Sequence, residues 1–134
     1  MTIIETIKSK LKKYPSARYT VEGHTITVEA ANSDGFAVWL VDKQPGYTVG
    51  YDGWHEEFDD EEMALNAFAF GLSEDCRLKV IQRGKTACSW TVESGNREGQ
   101  WFEDGMVGLL WIPFWRKRTT VYRQNHLIKN NEEG

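Results

Sequence analysis

Two short segments of this sequence carry side chains that could do chemistry or hold a ligand. The first is Trp54-His55-Glu56-Glu57, where a histidine and two carboxylates follow a tryptophan. An imidazole and a carboxylate held close together are common general acid–base partners. The carboxylates are consecutive and the HExxH spacing is absent, so the segment matches no known metal-ligand pattern. We interpret His55 and Glu57 as the candidate catalytic pair of a pocket beside Trp54, and we predict no metal site.

The second segment is Phe114-Trp115-Arg116-Lys117-Arg118, which joins two aromatic side chains to three cations. An exposed tryptophan beside cations can stack on a nucleic-acid base while the cations neutralise phosphates. The same residues suit a membrane surface, with the aromatic rings at the interface and the cations on anionic headgroups. An apolar run ending in a proline precedes the segment, so a buried strand that ends in a charged turn also explains it. The solvent exposure of Phe114 and Trp115 decides between these interpretations.

Length and composition exclude several protein classes. A chain of 134 residues with 40% apolar and 27% charged residues is typical of one globular domain, and six tryptophans can supply a large core. The formal net charge of −4 argues against non-specific nucleic-acid binding by the whole molecule. No segment approaches the ~20 apolar residues of a membrane-spanning helix, and the N-terminus lacks the pattern of a secretory signal. We therefore expect a soluble, cytoplasmic protein.

The two cysteines, Cys76 and Cys88, fall on the same face of a predicted hairpin. In the predicted register they lie about 13 Å apart along the strands, whereas a disulfide needs Cα atoms within about 7 Å. Thiols buried in apolar surroundings are also poor nucleophiles. We expect both cysteines to be reduced and structural, which agrees with a cytoplasmic location.

Two helices are indicated by capping residues and by apolar residues at helical spacing. Thr2 and Glu5 predict a capping box at the start of the first helix. Asp59 as N-cap and Glu62 predict a second capping box before the helix at 63–72. The second helix is apolar on most sides, so we expect it to be buried beneath the first helix or against a partner.

Strand patterns bounded by turn residues fill the rest of the chain. The predicted strands are 18–21, 25–30, 36–42, 47–51, 76–82, 86–93, 106–112 and 119–124. We predict an α+β fold in two layers: a meandering antiparallel sheet of about six to eight strands with both helices on one face. The order of one helix and four strands, repeated, suggests an internal α-β4 duplication. Residues 1–126 form the domain in this interpretation, and 127–134 form a frayed polar tail.

These patterns favour a small non-catalytic binding module that uses no cofactor and acts through a protein partner or self-association. We expect contacts through the second helix and through these binding residues: Trp54, Phe114, Trp115, Arg116, Lys117 and Arg118. One alternative is a small-ligand pocket protein or enzyme that uses His55 and Glu57. A related form is a cup lined by Trp39, Trp54, Trp90, Trp101 and Trp111. Another alternative is contact with an anionic surface or a single-stranded nucleic acid through residues 115–118.

Overall fold

The computed structural model describes residues 2–95, 99–108 and 116–129. Its elements are, in chain order, α1 (Ile3–Leu11), β1 (Tyr19–Glu22), β2 (Thr25–Val28), β3 (Val38–Asp42), β4 (Tyr47–Tyr51), β5 (Trp54–Phe58), α2 (Glu61–Leu72), β6 (Cys76–Arg83), β7 (Thr86–Gly95), β8 (Trp101–Gly108) and β9 (Arg118–Gln124). The strands form two antiparallel sheets, with strand orders β1-β2-β3-β4-β5 and β8-β7-β6-β9. The α+β class with two helices is confirmed.

The strands do not form the single meandering sheet that the sequence predicted. They divide into sheets of five and four strands, and α2 separates the two along the chain. Strand β5 was not predicted, because the exposed, charged middle of Trp54–Phe58 hides its alternation. In the second sheet, β9 pairs with β6 instead of β8. The α-β4 duplication is not confirmed, since the two halves differ in strand number and strand order.

The first helix follows its sequence signals. The Thr2 hydroxyl accepts a hydrogen bond from the Glu5 backbone N–H at 3.2 Å, and the Glu5 carboxylate reaches back to Thr2, which completes the predicted capping box. The apolar stripe that includes Ile3, Ile7 and Leu11 is buried. Burial of this stripe fixes α1 over the core and leaves its lysines in solvent.

The N-cap of the second helix lies one residue later than predicted. Asp60 is the N-cap, and its carboxylate accepts a hydrogen bond from the Met63 backbone N–H at 2.9 Å. The predicted capping box of Asp59 and Glu62 is therefore wrong: two adjacent aspartates offer the same capping chemistry, and the local pattern does not separate them. The buried side of α2 includes Phe68 and Leu72, whereas Met63 is 59% exposed.

Both sheets contribute to one apolar core beneath the helices. On the first sheet, Tyr51 stacks on Trp54 with ring centroids 4.7 Å apart, and its hydroxyl donates a hydrogen bond to the Ala67 carbonyl of α2. Leu78 and Val92 extend the same core from the second sheet. The helices and both sheets are therefore held together by shared burial of apolar surface.

The segment after β9 also packs on the core. Buried Asn125 accepts a hydrogen bond from the Phe36 N–H at 3.1 Å and donates from its amide to the carbonyls of Phe36 and Gly71. Leu127 and Ile128, which we assigned to the tail, pack against the core, and Ile128 bridges to Ser73. The extent of the domain otherwise stays a prediction.

The hairpin of β6 and β7 pairs in a different register from the predicted one, in which a three-residue turn places Leu78 opposite Trp90 and Val80 opposite Cys88. Leu78 lies opposite Val92 and Val80 opposite Trp90, with a bulge between Ile81 and Gln82. The bulge and the short turn together move the pairs beyond the bulge by two residues, which leaves their side chains on the predicted face. Both cysteines are free and buried, as predicted.

In the described residues, neither helix is long and apolar enough to cross a membrane.

Candidate functional site

A concentration of positive charge among the described residues lies at one end of the second sheet. We call it the basic cluster. It contains two cations from the end of β6 and its turn, two that precede β9 and the first residue of β9: Arg83, Lys85, Arg116, Lys117 and Arg118. The cluster forms because β9 pairs with β6, which brings together residues that are far apart in the sequence.

The backbone holds the two parts of the cluster in fixed positions. The Gly84 N–H donates a hydrogen bond to the Lys117 carbonyl at 2.9 Å. Gly84 has a φ of +62°, and a Cβ there would lie 2.9 Å from Cδ of Arg116. The turn therefore favours glycine for its backbone conformation, and the Arg116 side chain packs across it.

Within the cluster, Arg83 and Arg118 are directly opposite each other on paired strands. Like charges in this position destabilise a sheet. Lys85, Arg116 and Lys117 are exposed, as is Arg118. Among the described residues, these four form no salt bridge with a carboxylate. These four side chains thus form an exposed positive surface that an anionic group can approach.

Part of this site was predicted from sequence. Arg116, Lys117 and Arg118 belong to the cluster, whereas Phe114 and Trp115 lie outside the described residues, as does most of the predicted strand 106–112. Arg83 and Lys85 were missed as site residues. The motif Arg83-Gly84-Lys85 was recognised as a turn, but only the pairing of β6 with β9 places it beside the second basic segment.

The pocket proposed around Trp54 is not assembled. Alternation along β5 puts Trp54 on the buried face, where it is 6% exposed, and puts His55 and Glu57 on the opposite, solvent-exposed face. The three side chains therefore do not line one cavity. The His55 ring lies beside Trp39 instead, with ring centroids 6.4 Å apart.

Glu57 is an ion-pair partner and is poorly suited to act as a general base. Its carboxylate accepts hydrogen bonds from the Lys43 ammonium at 2.5 Å and from the Thr48 hydroxyl. These hydrogen bonds lower the pKa of Glu57 below its usual value. A general base near neutral pH needs a raised carboxyl pKa, so the shift has the opposite direction from the one catalysis favours.

Other groups with shifted pKa values are explained by packing. Burial raises the pKa of the Tyr51 hydroxyl, the Cys76 thiol and the Asp52 carboxyl. Asp52 also accepts a hydrogen bond from the Ala37 N–H at 3.0 Å, which opposes the effect of burial. Within the described segments, His, Cys, Asp and Glu side chains form no group of three that could hold a metal ion.

The tryptophans expected to line a cup are dispersed. Trp54 lies in the core, Trp39 over Gly50, Trp90 over Gly53 and Trp101 against Arg77, while Trp111 is outside the described residues. The structure has two clefts elsewhere: one of about 390 Å³ lies between α1 and α2, and one of about 160 Å³ lies beside Asn125. The described residues that line these two clefts include no tryptophan.

Comparison with models of known protein families, with curated proteins and with solved structures finds no match for this chain. Functional inference therefore rests on the geometry of its own residues.

Proposed function

We propose that this protein is a non-catalytic interaction module that binds an acidic surface of a partner protein through the basic cluster. The observation that carries the proposal is the exposed group Lys85, Arg116, Lys117 and Arg118, which forms no salt bridge with a carboxylate among the described residues. Cations held this close together create a local positive potential. An anionic surface that complements this potential is attracted to it.

A structural explanation of the cluster also exists. Strand β9 is an edge of the second sheet, and charged side chains on edge strands prevent sheets from pairing with one another. This explanation predicts self-association when the charges are removed. Binding predicts loss of affinity for an acidic ligand without a change in oligomeric state.

An acidic protein surface fits the cluster better than a nucleic acid does. The whole chain has a net charge of −4, which repels a long polyanion away from the cluster. A compact group of cations suits a local cluster of carboxylates.

The proposal is tested with a fluorescently labelled octaglutamate peptide as the acidic probe. Fluorescence anisotropy gives its affinity for the wild type, for an Arg116→Glu/Arg118→Glu variant and for a Lys8→Glu/Lys12→Glu control. Both variants change the net charge equally, but the control residues lie on or next to α1. We expect the cluster variant to lose affinity by about tenfold or more, with little loss in the control.

Several results would overturn the proposal. Equal losses in the two variants would mean that net charge alone drives binding. Tighter binding of single-stranded oligothymidylate, or of phosphatidylserine vesicles, than of the peptide would replace the protein partner with a nucleic acid or a membrane. Dimers formed by an Arg116→Ser/Arg118→Ser variant in sedimentation would favour edge protection.

We also propose a cytoplasmic location, since Cys76 and Cys88 are both free and buried. Fractionation of the cells that produce the protein tests this. We expect the protein in the cytosolic fraction, and its recovery with membranes or in the medium would contradict the proposal.

A further inference from the structure

We infer that the cleft between α1 and α2 is a binding site for an aliphatic carboxylate. The cleft has a volume of about 390 Å³. This lies within the range of about 300–1,000 Å³ that small-molecule sites occupy. The inference uses none of the cations of the basic cluster, so it stands or falls independently of the proposed interaction with an acidic partner.

The cleft exists because the two helices pack mainly on other elements. α2 lies chiefly against β3 and β4 and touches α1 over a smaller area. The apolar faces of both helices meet at the bottom of the gap, where Ile7 and Leu11 of α1 face Phe68 and Leu72 of α2. This lining suits an alkyl chain, because burying it removes apolar surface from water on both sides.

The walls of the cleft have the small and apolar side chains that an alkyl chain requires. Leu65 is half-buried, and exposed Ala69 leaves room beside it. The cleft lies between two helices of one chain, an arrangement that occurs in small-molecule sites.

The rim carries the charge that complements a carboxylate. Lys10 and Lys13 both line the cleft and are exposed, and among the described residues neither forms a salt bridge. Glu62 is the acidic residue among those that line the cleft, so cations predominate at the rim. Lysines at the end of α1 also stabilise the helix dipole. That role requires no ligand. If the lysines only stabilised the helix dipole, their replacement would not change the binding of a carboxylate.

The first experiment measures binding of decanoate by isothermal titration calorimetry below micelle-forming concentrations. Ala69→Trp fills the cleft from its exposed wall without removing a core side chain, and Met63→Trp places the same ring on an exposed position of α2 outside the cleft. We expect Ala69→Trp to weaken decanoate binding by about tenfold or more and Met63→Trp to leave it within about twofold. Circular dichroism melting checks that both variants are folded.

The second experiment tests the charge of the rim. The Lys10→Ala/Lys13→Ala variant should bind decanoate several-fold more weakly, and its preference for decanoate over the cationic amphiphile decyltrimethylammonium should fall. Lys8→Ala/Lys12→Ala removes the same charge from positions that do not line the cleft. This control should change neither the affinity for decanoate nor the preference. Absence of decanoate binding, equal binding of the cationic amphiphile, or equal effects of the two lysine variants would each overturn the inference.

Discussion

The two sheets of this protein are stabilised in different ways. The first sheet lies under α2 on one face, and its central residues, such as Leu40 and Val49, are fully buried. In the second sheet, the central strands β6 and β7 reach the core, while the edge strands β8 and β9 are largely exposed. Apolar burial dominates the first sheet, and side-chain contacts on a solvent-facing surface contribute more to the second.

On the exposed face of the second sheet, a stack of side chains around Arg77 takes the place of a covering helix. The Arg77 guanidinium lies between the rings of Trp101 and Tyr122, at 4.3 and 4.2 Å from their centroids. It also forms a salt bridge with buried Glu93, at 2.6 Å between Nη2 and Oε1. This stack ties β6 to both edge strands without a second layer. The opposite end of the sheet is then free to carry the basic cluster, because its residues contribute little to the core.

The largest effect is expected from a cavity in the first sheet. Leu40→Ala removes a side chain that is 0% exposed, and we expect a loss of about 2–5 kcal/mol in the free energy of unfolding. Met106→Ala on β8, where the side chain is 69% exposed, should change stability by no more than about 0.5 kcal/mol. Urea denaturation measures both. Similar losses in the two variants would remove the contrast between the sheets.

A smaller loss is expected from the stack on the second sheet. Arg77→Ala leaves the Glu93 carboxylate without its ion-pair partner and should cost about 1–3 kcal/mol. Lys79→Ala, on the same face of β6, is the matched control and should cost less than about 0.5 kcal/mol. A double-mutant cycle with Tyr122→Ala should give a coupling of about 0.5–1 kcal/mol for the cation–π contact. If Arg77→Ala lowers the free energy of unfolding no more than Lys79→Ala does, the stack does not stabilise the sheet.

Glycine-to-alanine substitutions should change the stability of the protein by different amounts in the two regions. A Cβ at Gly71 of α2 would lie 2.3 Å from Cε1 of buried Tyr51, beneath the first sheet. Alanine normally favours a helix by about 1 kcal/mol over glycine, but here overpacking should give a net loss of about 1–2 kcal/mol. A Cβ at Gly105 of β8 would meet its nearest neighbour at 3.4 Å, so Gly105→Ala should change stability by less than about 0.5 kcal/mol. Thermal unfolding of the two variants makes the test, and a stabilised Gly71→Ala protein would contradict it.

The smallest effect concerns pH and an exposed ion pair of the first sheet. Hydrogen bonds from Lys43 and Thr48 lower the pKa of Glu57, so its contribution to stability is present above the usual glutamate pKa and is lost as pH falls through the lowered value. In Lys43→Met, the pKa of Glu57 should move up toward its ordinary value, and the stability difference from wild type should shrink in acid. Carbon-13 NMR titration of the Glu57 carboxyl measures the shift. Lys79→Met, on the second sheet, should leave this titration unchanged.

The elements that depend on nearby residues were predictable. Spacing and capping chemistry identified α1 with its Thr2–Glu5 box, and alternation identified most strands and the buried face of β6. Details controlled by small local differences were wrong, such as the N-cap at Asp60 in place of Asp59 and the register of the second hairpin. The cations at 116–118 were recognised, but the residues that complete their cluster were not.

The sequence by itself determined the class of this protein, its helices and most of its strands, because periodicity and capping act within a few residues of the chain. Only the tertiary structure decided that the strands form two sheets and that β9 pairs with β6. That pairing places Arg83 opposite Arg118, and the packing of α2 on β3 and β4 leaves the cleft beside α1. Strand partners and helix positions are chosen by burial between distant segments, and the free energy of that burial depends on all of them together.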